Sequence, residues 1–188
     1  MTFAAFLPHP TPLPGTLRDW RNVLAGHYAR LGHRSRRDRF MANLPDRTVR
    51  RIADRASPDI VLGIEAEGRV VGVLEVFRGA DGHAEIGISV EDASQGRGYG
   101  RALFLEGLAA AEAMGVQTAD LYFSCENSGL RKLVDAAGGK IIRTGAECEA
   151  HIDISHCAAC HATLPKSTPT TALPRPVEMS RRLNHLDP

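Results

Sequence analysis

Lysine is scarce in this 188-residue chain: only Lys132, Lys140 and Lys166 stand among 23 basic residues, the rest being arginine. Together with the alanine and glycine content, that bias suggests a GC-rich bacterial genome. No run of about 18 apolar residues occurs, which excludes a membrane-spanning helix. The opening stretch "MTFAAFLPHPTPLPG" has neither a basic start nor an apolar run long enough for a signal peptide. A cytoplasmic location is therefore expected, and with it reduced cysteines. Excess charge is missing as well: the net value is +1, which argues against a dedicated nucleic-acid binder. What remains is 43% apolar residues and a mean hydropathy of -0.18, the make-up of one ordinary globular domain.

Charge is nevertheless unevenly spread. Eleven arginines fall between Arg18 and Arg55, against four acids, Asp19, Asp38, Asp46 and Asp54. Such a head either offers a basic face to an acidic partner or clothes helix surfaces in solvated charge. Cys157-x-x-Cys160-His161 has the spacing of covalent c-type haem attachment, a chemistry that needs an oxidising or periplasmic compartment. Zinc is the stronger cofactor reading, with Cys148, His151, His156 and His161 as further ligands, but the second CxxC of a zinc ribbon is missing. The expectation is that no metal is bound.

Residues 1–15 carry four prolines and no hydrophobic period, and read as an extended arm. From Thr16, a candidate N-cap, Leu17, Trp20, Val23, Leu24, Tyr28 and Leu31 form one helical stripe. "SRRDRFMANL" and "PDRTVRRIADR" predict two shorter helices, the second opened by Pro45. After Pro58 the period changes. "DIVLGIEAEG" and "RVVGVLEVFRG" read as strands joined at Glu67-Gly68, and "HAEIGISV" as a third strand beyond the "GADG" turn. Phe104, Leu108 and Ala111 mark an amphipathic helix ending near Gly115. "TADLYFS" is a fourth strand, "SGLRKLVDAAGG" a helix stopped by glycine, and "KIIRT" and "ECEAHIDIS" close the pattern. This is an α+β domain, a mixed but mostly antiparallel sheet with helices on both sides, over residues 16–155. A Pro/Thr-rich tail, 156–188, is expected to be flexible.

Between the third strand and its helix lies "EDASQGRGYGRALF". A helix starting near Gly98 offers backbone N–H groups without intrahelical partners and the positive end of its dipole. Gly96, Gly98 and Gly100 let an anion approach, and Arg97 and Arg101 add charge at the rim. A pyrophosphate is the natural guest. The lysine of a P-loop is missing, and the glycine spacing departs from G-x-G-x-x-G, with antiparallel-type strands ahead of it.

Gln95-Gly96-Arg97-Gly98-Tyr99-Gly100 resembles the (Gln/Arg)-x-x-Gly-x-(Gly/Ala) signature of the GNAT superfamily of N-acetyltransferases. The resemblance runs over residues 16–155, through "EIGISVEDASQGRGYGRAL" and "LYFSCENSGLRKLVDAAGG". It implies acetyl-CoA as co-substrate and an amine as acceptor, a protein lysine or a small molecule. It also implies that the backbone of Ile88, Ser89 and Val90 pairs with pantetheine. The amides of residues 96–101 (Gly96, Arg97, Gly98, Tyr99, Gly100 and Arg101), behind Gln95, would hold the pyrophosphate, and Asn127 would meet the CoA arm. "YARLGHRSRRDRFMANLP" is similar to the head of GNAT domains in bacterial protein lysine acetyltransferases. There an Ala-Glu pair supplies a general base, and "HAEIGISV" offers Ala84-Glu85.

Acyl transfer to an amine needs the amine neutral, so Glu85 is the candidate base, with His83 on the same strand face as co-base or substrate contact and Glu75 as an alternative. The tyrosine with which many relatives protonate the thiolate falls at Val134 here, a departure that leaves a non-catalytic acyl-CoA sensor as the alternative function. Ser124 and Cys125 are candidate contacts to the thioester, and Cys125 a candidate nucleophile. Tyr122 points either to the core or to the cleft. A second copy of the chain is a candidate partner; nucleic acid and membrane are not.

Overall fold

The computed structural model describes residues 9–13 and 17–156 of the chain. Three helices come first, α1 (Leu17–Arg30), α2 (His33–Phe40) and α3 (Asp46–Arg55). Then follow strands β2 (Ile60–Ala66), β3 (Arg69–Arg78) and β4 (His83–Val90), helix α4 (Tyr99–Ala113), strand β5 (Thr118–Ser124) and helix α5 (Ser128–Ala136). Strands β6 (Lys140–Thr144) and β7 (Glu147–Asp153) complete the order. Ahead of them all, Thr11–Pro12 forms a short edge strand, β1, paired with Gly63 and Leu62. The sequence reading left β1 inside its extended arm. The Cys157–Cys160–His161 motif lies outside the described residues.

One sheet holds all seven strands in the order β1-β2-β3-β4-β5-β7-β6, antiparallel throughout except where β4 meets β5. The β2–β3 hairpin turns at Glu67 (φ 54°) and Gly68 (φ 74°). Two successive left-handed residues match the twist of the flanking strands, which is why Glu-Gly serves there.

Each face of the sheet has its own core. On one, Leu103, Phe104 and Leu108 of α4 and Val134 of α5 pack on Leu74, Ile86, Leu121 and Ile152 from four strands. Here α4 lies so near β3 that a Cβ on Gly107 would come within 2.5 Å of Leu74. On the other face, Trp20, Leu24 and Tyr28 of α1 and Val49 and Ile52 of α3 cover Val70 and Val73 of β3. On this face α1 lies over β3, and α2 lies over β4 and reaches β5. Beyond them Tyr122 and Ile142 are 46% and 41% exposed on β5 and β6.

Cys125 and Cys148 are joined in a disulfide. This corrects the expectation of reduced cysteines, removes Cys125 as a free nucleophile and takes Cys148 out of any zinc site. The bond ties the end of β5 to β7, closing a loop with a sequence separation of 23 residues. A loop of that size restrains the unfolded chain by about 3 kcal/mol. Reduction is therefore expected to lower the melting temperature by about 6–12 °C. Identical melts with and without reductant would contradict the bond's contribution.

Candidate active site

The parallel pair is short. β4 meets β5 only at His83↔Thr118, Ala84↔Ala119 and Glu85↔Asp120. Beyond Glu85 the two strands part, β4 staying on β3 as far as Val90 and β5 staying on β7 as far as Ser124. The result is a fork, closed at Glu85 and Asp120 and open toward the start of α4. One edge of Ile88, Ser89 and Val90, the residues expected to pair with pantetheine, borders this fork.

At the open end the glycine-rich loop takes the shape its sequence demands. Gly96 and Gly98 sit at φ 75° and 85°, a region costly for residues with a Cβ. The first helical bond runs from Ala102 N to Gly98 O at 3.0 Å, so the amides of Tyr99, Gly100 and Arg101 have no partner within the helix. Space in front of Gly96 is open, with no atom within 4 Å of where a Cβ would stand. Arg97 and Arg101 are exposed, while the Tyr99 ring is buried in the α4 core and anchors the turn. Gln95 is a strut: its Nε2 donates to Ser35 Oγ at 2.9 Å and to Val90 O at 3.1 Å. Asn127 caps α5, its Oδ1 accepting from Leu130 N at 3.0 Å. Its side-chain carbonyl is thus engaged in the cap, which leaves the side-chain NH2 group and the backbone for the expected contact with the CoA arm.

Along β4, alternation puts Ala84 and Ile86 into the α4 core and His83, Glu85, Gly87 and Ser89 on the opposite face. Ser89 is buried against His27, whose Nε2 is 2.9 Å from Ser89 Oγ. Burial lowers the His27 pKa, which keeps this ring neutral near pH 7. Above Gly87 lies Arg39: a Cβ there would fall 2.3 Å from its Nη2. Arg39 is paired with Glu75 at 2.5 Å, and Tyr28 also donates its hydroxyl proton to Glu75. Burial opposes the charge on Arg39, but Tyr28 and Glu75 outweigh it and hold the guanidinium above its ordinary pKa. Glu75 is 1% exposed and holds both partners on its Oε2, so it is engaged in an ion pair inside the fold, which argues against it as an alternative base.

Glu85 is half-buried at the closed end of the fork, and His83 is exposed beside it. His83 Nδ1 is 2.8 Å from Asp120 on β5, and the other oxygen of Asp120 is 2.7 Å from His151 Nδ1 on β7. His151 therefore stands on the face opposite Cys148, which separates two of the ligands considered for zinc. Among the described residues no group of three or more His, Cys, Asp or Glu side chains could hold a metal ion. Tyr122 points outward on the same face as Asp120, and burial with a hydrogen bond to Glu149 pushes its pKa up to about 12. Val134 is fully buried, and Ser124 Oγ accepts from Glu126 N at 3.3 Å. Four of the head arginines bond across the fold: Arg21 to Ala56 O, Arg30 to Glu91 and Val70 O, Arg36 to Leu44 O, Asp46, Tyr28 O and Ala29 O, and Arg39 to Glu75.

A family model described as the acetyltransferase (GNAT) family matches residues 29–138, from the end of α1 to the turn after α5. The chain belongs to the GNAT family of acetyltransferases. Solved structures agree in fold. The GNAT domain of S. lividans PAT is 22% identical with a TM-score of 0.60, over 77% of this chain and 88% of that one. A ribosomal-protein-alanine N-acetyltransferase from Brucella melitensis is 17% identical with a TM-score of 0.58, over 76% of this chain and 99% of that one. PaiA N-acetyltransferase from Thermoplasma acidophilum, solved in complex with coenzyme A, is 15% identical with a TM-score of 0.56, over 77% and 98%. No curated protein sequence matches the chain.

In this GNAT domain, sequence reasoning missed the clasp of Asp120 on two histidines and the buried Tyr28–Glu75–Arg39 group. "TADLYFS" did carry a signal for the first, an aspartate alternating with aliphatic residues in a strand. The second had none, because its members come from α1, β3 and α2.

Proposed function

We propose that residues 16–155 form an acetyltransferase domain that moves an acetyl group from acetyl-CoA to a primary amine by direct attack in a ternary complex. The fork carries this reading. It joins an anion-accepting helix start at its open end to a carboxylate, Glu85, at its closed end, with a strand edge between them for the pantetheine arm. Residues 96–101 would hold the pyrophosphate through their amides, as helix N-termini do. Glu85 would take a proton from the acceptor's ammonium, freeing the lone pair for attack on the thioester carbonyl.

The acceptor is a protein lysine or a small amine. Asp120, Glu147 and Glu149 share the open sheet face beside Glu85, which favours an acceptor arriving as a cation. The departing thiolate takes its proton from solvent, since Val134 supplies none.

Titration calorimetry with acetyl-CoA tests the donor half. Gly98→Glu is expected to weaken binding at least about a hundredfold, because a carboxylate would face the pyrophosphate. Gly98→Asn, which tolerates the left-handed backbone without adding charge, should retain most of the affinity. Equal affinity in all three proteins would remove the helix start as the phosphate site. Thiol release with an amine panel tests the transfer half: acetyl-CoA binding without turnover on any amine would instead favour the sensor.

A further inference from the structure

We propose that Asp120 is a positioning residue for two imidazoles, His83 and His151, and that through this clasp the proton collected by Glu85 leaves the site by way of His83. The inference rests on the acetyl-transfer reading and adds the route of its proton. An ionised carboxylate can only accept hydrogen bonds. Asp120 lies 2.8 Å from His83 Nδ1 through one oxygen and 2.7 Å from His151 Nδ1 through the other. Both rings must therefore carry hydrogen on Nδ1, which leaves Nε2 of each as the basic nitrogen. The two rings are fixed by one group on the strand between them.

Position gives the clasp its role. Asp120 is the cross-strand neighbour of Glu85 in the last pair before β4 and β5 separate. His83 stands two residues before Glu85 on the same face, about 7 Å along the strand, a spacing that one water would span. The His83 side chain is 50% exposed, whereas Asp120 is 16% exposed, so the orienting group is sheltered and the proton carrier is wet. His151 Nε2 lies 3.6 Å from Glu149 on β7, so its basic nitrogen faces another carboxylate. His83, two residues from Glu85 on the same strand face, is the ring placed to serve it.

The steps balance. An N–H bond of the acceptor ammonium breaks as an O–H bond forms on Glu85. That O–H bond then breaks as Nε2–H forms on His83, and the imidazolium returns the proton to bulk water. Titratable and charged neighbours that bear on the proton's path are Glu85 on β4, Tyr122 on β5, Glu149 and Asp153 on β7, Lys140 on β6 and Arg39 on α2.

A tie that only fastened β4, β5 and β7 together would be an exposed ionic contact of small worth, about 1 kcal/mol or less. Asp120→Asn separates the two roles. Its amide keeps one carbonyl acceptor and sets a donor in place of the other oxygen, so one of the two rings must turn to the other tautomer and both lose the negative charge that favours their protonated forms. The variant is expected to keep the acetyl-CoA affinity and KM of the wild type while kcat falls about ten- to a hundredfold, less than the full contribution of a general base. The acid limb of kcat, followed from about pH 5 to 9, should move with it. His83→Gln should reproduce the loss of kcat, and His151→Gln should reproduce only part of it. Superimposable kcat–pH profiles for wild type and Asp120→Asn would overturn the proposal. Nitrogen NMR of the imidazoles gives a readout apart from turnover: wild-type rings protonated on Nε2 would also overturn it. If the wild type binds acetyl-CoA yet transfers to no amine, the acetyl-transfer reading falls and the proton route with it, while the ring tautomers still decide whether Asp120 positions both histidines.

Discussion

Replacing Arg39 with alanine is expected to destabilise the domain by about 3–5 kcal/mol, the cost of stranding a buried carboxylate without its counter-ion. Glu75 is 1% exposed, and its partners are the Arg39 guanidinium and the Tyr28 hydroxyl. Burial, with Glu75 beside it, raises the Tyr28 pKa well above its ordinary value, so the phenol keeps its proton and acts as a neutral donor. It cannot neutralise Glu75 once Arg39 is gone. Urea denaturation of Arg39→Ala checks the size of the effect, and a loss below about 1 kcal/mol would contradict it. Arg39→Met combined with Glu75→Leu should recover most of the stability, because an apolar pair of similar volume removes both charges. The Tyr28 hydroxyl, left without its acceptor, should keep that recovery incomplete.

Glu85→Gln is expected to lower kcat by about 10²- to 10⁴-fold with acetyl-CoA binding unchanged, the span that a positioned general base contributes. Glutamine keeps the shape of the side chain and discards only its capacity to take a proton. The pH dependence gives this prediction its sign. An alkyl ammonium of pKa about 10.4 frees about tenfold more neutral amine for each unit of pH gained below that value. The variant should therefore recover toward wild type as pH rises, and the gap should be widest in the acidic range. Stopped-assay rates over that range check both size and slope. An unchanged rate at neutral pH would remove Glu85 from the chemistry.

Local signals carried most of the fold. Period-two aliphatic runs marked β2 to β5, the stripe from Trp20 to Leu31 marked α1, and glycines marked the turns at residues 68, 82 and 138, where φ is positive. The site was legible where it is continuous in sequence. Gly96 and Gly98 marked the open turn before α4, where both have positive φ, and "HAEIGISV" set Glu85 and His83 on one face. What could not be read depends on strand neighbours far apart in the chain. Asp120 and His151 are 31 residues apart and meet only because β7 pairs with β5. The same register brought Cys125 to Cys148, against a compartment argument that treated all cysteines alike. Arginine counting left the head of the domain undecided for a related reason. Charge in a sequence does not say which guanidiniums turn inward, and Arg36 and Arg39 do.

The position of β7 bears on how the molecule comes into being on the ribosome. It is last among the described strands, yet it lies inside the sheet, between β5 and β6. While synthesis is under way, β5 has only the three-residue contact with β4 on one side and nothing on the other. Among the described residues the β6 strand pairs with no strand other than β7. The first four strands can assemble as their residues emerge, but the second half of the sheet must wait until Asp153 has cleared the exit tunnel. Its backbone edges stay open for that interval, the stage at which a nascent chain is most exposed to pairing with a neighbour.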